Sequence, residues 1–348
     1  MPGPLKSAYS LEDGELEAFL RGRGQPAFRA KQALETLWSA RAPSWAGFST
    51  LPAALRAELA ENFADLDGTA FPVDRFEDAG TGTRKLLLKL ADGNLVESVL
   101  IPSRGRWTVC VSSQVGCACG CAFCASGLTG CERNLESGEI AAQAVRAALE
   151  IGRRPDNVVF MGSGEPFFNY QNVLAAARRM NAAPPAGLGI GARKITISTC
   201  GVVPGIERFS REGTQFELSV SLHAPTDALR SRLMPVNDRW NVAALVAACR
   251  AHTERTGRIV TFEYTLVAGF NDSPREAAAL LGLLRGFPCR ANLIPLNPVP
   301  EFPGRAPSPA ACEAFRAALE RGGLNATLRR SMGRSAEAAC GQLRRRYL

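Results

Sequence analysis

The sequence predicts an α/β protein: six strand–helix units forming a parallel sheet, either open or closing into an incomplete barrel, with a small helical domain before it. Three observations carry this. Six short β-like runs, at 107–112, 157–161, 194–198, 216–222, 259–266 and 289–294, alternate with helical or loop stretches, an order that implies parallel strands joined by right-handed crossovers. Residues 1–70 instead carry apolar side chains at helical spacing. Glycine-rich and polar segments follow successive strands, the ends at which parallel α/β folds gather their ligands.

In chain order, Ser10 precedes a first helix with Leu11, Leu16, Phe19 and Leu20, and Ala30, Ala33, Leu34, Leu37 and Trp38 repeat at the spacing of a second. A third follows Thr50, with Leu51, Leu55, Leu59 and Phe63 on one face and Pro52 in its first turn, where a missing N–H costs little. Residues 71–105 read as a hairpin-like linker, because runs 85–90 and 95–101 are joined by Ala91-Asp92-Gly93-Asn94. The α/β unit spans 106–320. Ser137 is placed to cap a helix carrying Ile140, Ala144, Val145, Ala148 and Leu149. The end, 321–348, holds seven arginines (321, 329, 330, 334, 344, 345, 346) against one acid, Glu337.

Composition narrows the class. With 348 residues, 46% of them apolar and 21% charged, the chain suits a globular protein and excludes wholesale disorder, collagen and coiled coil. No apolar stretch approaches the ~18 residues that span a bilayer, and residues 1–19 lack the apolar run of a signal peptide; a soluble, cytoplasmic protein is expected. The net charge of +8 favours a polyanion such as nucleic acid, though a mildly basic protein without such a partner carries the same charge.

Eleven cysteines are too few for a disulfide scaffold of this length, and five of them (Cys110, Cys117, Cys119, Cys121, Cys124) fall within fifteen residues. A reducing compartment keeps such thiols available for metal or redox chemistry. Cys117, Cys121 and Cys124 have the spacing C-x3-C-x2-C directly after the first strand of the α/β unit. Three thiolates on one loop bind three irons of a [4Fe–4S] cluster and leave the fourth iron open. Zinc prefers four protein ligands, and with only His223 and His252 in the chain no second pair with suitable spacing is evident. Gly162-Ser163-Gly164-Glu165-Pro166 follows the second strand, Ser198-Thr199-Cys200-Gly201 the third, Ser221-Leu222-His223 ends the fourth and Asn297 trails the sixth.

These features are similar to the radical S-adenosylmethionine (SAM) superfamily. The segments FRAKQ (28–32), VSSQVGC (111–117), Gly164-Glu165-Pro166 with Asn169, STCGVVP (198–204), SLHAP (221–225), NLIPLNP (292–298) and AACGQL (338–343) resemble, in order, the RlmN/Cfr family of RNA adenine methyltransferases, closer to RlmN, over nearly the whole chain. The resemblance implies an incomplete (β/α)6 radical SAM barrel, with 1–70 recognising RNA and 321–348 carrying a methyl-bearing cysteine. It implies a cluster on Cys117, Cys121 and Cys124, and SAM contacts at Gly164, Glu165, Ser198, Ser221, Leu222, His223 and Asn297; those at His223 can run through backbone.

Carbons 2 and 8 of adenine are electron-poor and cannot attack a sulfonium methyl directly. The family's route, as the resemblance implies, uses two SAM molecules: one methylates a cysteine, matched here by Cys340, and the other yields a 5′-deoxyadenosyl radical that activates that methyl. The carbon radical adds to the base, Glu97 accepts the ring proton, and Cys110 resolves the RNA adduct by forming a disulfide with Cys340. Carbon 2 of adenosine in 23S ribosomal RNA is the expected target, with transfer RNA as a second substrate, a flavodoxin or ferredoxin as electron donor, and a monomeric enzyme that binds no membrane. Carbon 8, a different radical reaction such as sulfur insertion, and a non-catalytic iron–sulfur or zinc RNA-binding module are the alternatives. Four departures from the family pattern bear on pocket shape: Ser163 for a methionine, Cys200 for a serine, Phe167-Phe168 for smaller aliphatics, and an extra Cys119, expected to be a bystander. A solvated basic end is the plain reading of the arginine run; beside Cys340 its guanidinium groups are also placed to hold phosphates without reading sequence.

Overall fold

The computed structural model describes residues 5–329, 332–333 and 335–343. The first segment forms helices at Glu15–Arg21, Phe28–Trp38 and Ala53–Asn62, with shorter turns between them. Leu16, Leu20, Ala33, Leu37, Leu55 and Leu59 are buried, so each helix turns its apolar stripe inward, as periodicity requires. The first begins after Gly14 rather than under a Ser10 cap. Ser10 instead accepts the Gly138 N–H at 2.9 Å, and Arg146 pairs with Asp67 at 2.6 Å; both contacts seat the bundle on the helix Ser137–Ile151. That helix is capped by Glu136, which exchanges hydrogen bonds with Glu139, so Ser137 is its first helical residue rather than its cap. Pro52 occupies the N-cap of the third helix.

The strands are β1 (Phe71–Asp78), β2 (Thr83–Lys89), β3 (Leu95–Ser103), β4 (Arg106–Cys110), β5 (Gln114–Gly116), β6 (Cys131–Asn134), β7 (Asn157–Phe160), β8 (Ile195–Thr199), β9 (Glu217–Ser221), β10 (Val260–Leu266), β11 (Cys289–Pro295) and β12 (Asn325–Leu328). Ten of them make one sheet in the order β1-β2-β3-β4-β7-β8-β9-β10-β11-β12, while β5 and β6 pair separately around the cysteine loop. From β4 onward the pairing is parallel, and β1 to β4 are antiparallel. The six predicted strands are β4 and β7 to β11. The sheet runs from β1 at one end to β12 at the other, the partial barrel that six strand–helix units suggested. The hairpin expected within 71–105 is β2 and β3, and together with β1 it extends the sheet by three strands. β12 continues the sheet past residue 320, so the boundary expected there falls inside the α/β unit. Among the described residues no helix is long and apolar enough to cross a membrane.

Strand alternation gives the antiparallel end two faces. Leu86, Leu88, Val96, Leu100 and Val109 join the main core. Val99 and Cys110 point the other way, with Phe76, Ile101, Val159 and Met161, and are covered by Ala336, Ala338 and Leu343 from the end of the chain. Asp78 fastens that cover by accepting the Ser335 N–H at 3.0 Å and hydroxyl at 2.6 Å, while the Gly333 N–H reaches the Thr81 hydroxyl at 3.3 Å.

At the carboxyl ends of β8 and β9, the fully buried Arg230 closes the backbone. Its guanidinium donates to the carbonyls of Cys200 at 2.6 Å, Ser221 at 3.1 Å and Leu222 at 3.2 Å, and to Asn237 Oδ1 at 2.9 Å. Lysine cannot reproduce this fork. Arg230→Met is expected to lower stability by on the order of 3 kcal/mol by leaving buried acceptors unmatched, read as a lower denaturant midpoint; an unchanged midpoint would show that water replaces the guanidinium without loss.

Candidate active site

The carboxyl ends of the parallel strands enclose one cavity. Cys117, Cys121 and Cys124 line it from the loop between β5 and β6, Gly164 and Glu165 from the turn after β7, Ser198 and Ser221 from β8 and β9, His223 and Asn297 from the following loops, and Cys340 from the chain end. Residues far apart in sequence thus meet where α/β sheets place ligands.

The turn after β7 is set by Gly164, whose φ of +107° and a would-be Cβ 2.7 Å from Gln114 backbone and side chain exclude any larger residue. This close approach lets Gln114 Oε1 accept the Glu165 N–H at 2.8 Å. The buried Glu165 carboxylate accepts the Phe167 N–H at 2.9 Å and the Cys200 N–H at 2.6 Å. Burial raises its pKa, and these N–H groups pull it back down. The carboxylate is therefore a fixed post on the cavity wall.

Cys110 is buried and Cys340 exposed. Burial pushes the Cys110 thiol up to about 12, and the nearby Cys340 adds to the rise. Arg329, on the cavity wall, has its own pKa raised by Cys340, against the cost of its burial; it lies 3.7 Å from Glu263. Glu97 is only 5% exposed. In register, Lys85 faces Val99 and Val99 faces Cys110, so Glu97, two residues before Val99, shares the Cys110 face rather than pointing to solvent. Asn297 Nδ2 donates to the Cys340 carbonyl at 3.0 Å, tying the cavity wall to the loop that carries the thiol.

Residues 111–281 match the Radical SAM superfamily. A probable dual-specificity RNA methyltransferase RlmN of Rhodopirellula baltica is 46% identical, covering 99% of this chain and 92% of its own length. The chain belongs to the RlmN family. A relative of the same description from Symbiobacterium thermophilum is also 46% identical, over 97% of this chain and 90% of that protein. A crystal structure of a radical SAM methyltransferase from Sphaerobacter thermophilus, 45% identical, superposes with a TM-score of 0.92 over 97% of this chain and 99% of the other. This RlmN-family protein is therefore a radical SAM RNA methyltransferase, a class that works with a [4Fe–4S] cluster and SAM.

The RlmN-family cavity suits that cluster. The loop is held by backbone on three sides, with Cys117 N–H on the Gly130 carbonyl at 2.9 Å, Ala122 N–H on Leu233 at 2.9 Å and Ala125 N–H on Gly341 at 2.8 Å, leaving three soft thiols facing one space. Burial raises both Cys121 and Cys124, and the neighbouring thiols raise them further; iron binding removes those protons and relieves the cost. Among the described residues, the trio with ligand atoms close enough for a single ion is Cys119, Glu165 and Cys200 instead. The contrast follows from size: a four-iron cube spreads its thiolates farther apart than one ion does.

His223 has a φ of +57° and is nearly fully buried. Its Nδ1 accepts the Thr265 N–H at 2.8 Å, which puts the ring proton on Nε2, and burial lowers its pKa to about 3. The ring serves the backbone of β10 as a neutral acceptor. Leu222 lies in the main core, so any contact it makes to a cofactor runs through its backbone. Two departures from the family pattern meet, with the sulfurs of Cys119 and Cys200 3.2 Å apart; Cys119 is not an isolated bystander. Ser163 Oγ donates to the Gly116 carbonyl at 3.1 Å. Arg329 faces the two thiols rather than forming part of a solvated basic tail, while Arg330, Arg334, Arg344, Arg345 and Arg346 lie outside the described residues. Sequence reasoning missed Lys85, whose Nζ lies 2.8 Å from Glu97 Oε1; three of the seven residues of TRKLLLK are basic, so nothing in the pattern singles it out.

Each of Cys117→Ala, Cys121→Ala and Cys124→Ala is expected to prevent intact loading, whereas Cys119→Ala retains about four irons per chain. Iron and sulfide analysis after anaerobic reconstitution decides it, and full loading in any of the first three overturns the assignment.

Proposed function

We propose that this enzyme methylates carbon 2 of adenosine in ribosomal RNA, and in transfer RNA as well, through a methylated Cys340 and a covalent RNA adduct. The observation that carries the reading is the stacking of the Cys340 loop over the face that holds Cys110 and Glu97, at the rim of the same cavity that Cys117, Cys121 and Cys124 line. Two thiols and a carboxylate that sit together suit a reaction in which one sulfur carries carbon, the other releases it and the carboxylate takes a proton. The term dual-specificity in the relatives' names supports two classes of RNA.

Cys117, Cys121 and Cys124 would hold the cluster, and Gly164, Glu165, Ser198, Ser221, Leu222, His223 and Asn297 would receive SAM. When bound, these groups supply an electron, the methyl group and the radical that activates it. Cys340, exposed at the rim, is placed to receive a methyl group and present it to a flipped base, since a base buried in a stack must leave it to be modified. Once the RNA is joined to the Cys340 sulfur, the adduct must lose one electron and one proton to restore the aromatic ring: the electron would return to the cluster held by Cys117, Cys121 and Cys124, and Glu97 accepts the ring proton. Cys110 then attacks that sulfur: the S–S bond forms, the sulfur–carbon bond breaks, and its electron pair takes up a proton to leave a methyl group on the base. Burial pushes the Cys110 thiol up to about 12, so its proton stays on sulfur until the attack and is the one available to the departing carbon. Turnover in the cytoplasm by a monomer would then need reduction of the disulfide and an electron donor such as flavodoxin or ferredoxin.

The helical bundle is assigned RNA recognition. Phe28 is 54% exposed, and the guanidinium of Arg29 lies 5.0 Å from its ring centre, an arrangement suited to stacking on an unpaired base beside a phosphate. Deleting the bundle would strip the helix at Ser137–Ile151, so point substitution is the cleaner probe. Phe28→Ala is expected to weaken RNA binding about tenfold while leaving iron loading intact; unchanged affinity would make the bundle a cap on the barrel.

Mass spectrometry of nucleosides from treated RNA is expected to give 2-methyladenosine, and 8-methyladenosine would overturn the choice of carbon. With labelled RNA, Cys110→Ala should accumulate a covalent band on denaturing gels and Cys340→Ala should form none. An adduct with Cys340→Ala, or normal turnover by Cys110→Ala, would show the thiols to be wrongly assigned.

A further inference from the structure

Strand β2 carries a lysine where burial argues for an apolar residue. Lys85 is 3% exposed and Glu97 5%, and their side chains meet at 2.8 Å across neighbouring strands, two residues out of register. Lys85 Nζ also donates to the Glu337 carbonyl at 3.4 Å and lies 5.0 Å from the centre of the Phe76 ring. One ammonium thus touches the carboxylate on the Cys110 face and the backbone of the loop that bears Cys340.

Fold stability does not account for such a pair. Desolvating two charges costs several kcal/mol, which their attraction only about recovers, and well-packed apolar replacements are often no less stable. The 2.8 Å contact with Lys85 holds the Glu97 carboxylate at one place on the sheet face. The second contact fixes where Glu97 sits relative to the Cys340 loop, and a general base works only within hydrogen-bond reach of its proton.

We propose that Lys85 is the positioning residue for Glu97, keeping its carboxylate aligned with the adduct on Cys340. This rests on the reading of Glu97 as the proton acceptor. Lys85 touches no substrate in this scheme and acts through Glu97, so its loss should slow release of the adduct while sparing the steps before it.

The test uses the full-length, cluster-loaded enzyme with labelled RNA and follows three quantities: methyl on Cys340 by mass spectrometry, adduct formation, and adduct decay. Lys85→Met is expected to methylate Cys340 and form the adduct at near wild-type rates, and to slow decay about tenfold or more, within the range general bases contribute. Lys85→Arg, which restores the charge, should recover most of that loss. The double variant Lys85→Met with Glu97→Gln should decay no more slowly than Glu97→Gln alone, because a residue that acts through another adds nothing once its partner is gone. If Lys85→Met fails to load iron, Lys85→Gln carries the same comparison. Equal losses at all three stages, or additive losses in the double variant, would make Lys85 a structural residue and overturn the inference. Normal decay by Lys85→Met beside stalled Glu97→Gln would overturn it and leave Glu97 as the base. Normal decay by Glu97→Gln would remove the proton-acceptor reading itself, and the inference with it.

Discussion

The site depends on one constraint: the chain end must stay seated on the inner face of the antiparallel strands. Ala336, Ala338 and Leu343 fill that face, and Asp78, Thr81 and Lys85 hold the segment by hydrogen bonds to Ser335, Gly333 and Glu337. Without this closure Cys110 would be open to water and the Lys85–Glu97 pair would sit in a medium that screens it. The same segment also reaches the cysteine loop, where Ala125 N–H meets the Gly341 carbonyl and Ser126 Oγ the Leu343 carbonyl at 2.8 Å. Cluster loop, carrier loop and resolving thiol therefore form one mechanical unit, so a disturbance of any one is felt at the others.

Much of this was legible from the chain alone. The strands NVVF and VTFEYTL bury a side chain at every second position or more, which is why 157–161 or 259–266 could be placed within a residue or two. The cysteine spacing was legible because its ligands are local. β1 was not: its residues are largely exposed, and its sequence FPVDRFED has the charges of an edge strand, which hide a strand from pattern reading while discouraging unwanted pairing. β12 is four residues long and offers too short a window for any period.

What remained hidden is spatial. The Lys85–Glu97 pair lies two residues out of register on neighbouring strands, a relation that no linear motif records. The contact between Cys119 and Cys200 joins positions 81 apart, so two substitutions that each seemed incidental are neighbours in space. For His223 the motif suggested a cofactor contact, and only the hydrogen bond from Thr265 shows its ring serving as an acceptor for the backbone. In each case sequence supplied the chemical group and packing supplied its task.

The ties at Lys85 and Asp78 join residues 252 and 257 positions apart, among the longest loops this chain can close. Contacts of such separation form late, because the entropy of closing the loop is lost before the contact returns anything. A chain emerging from the ribosome exposes its bundle and its antiparallel strands, Cys110 included, well before the carrier thiol is synthesised. Cys340 therefore joins Cys110 at the end of assembly, together with these closures.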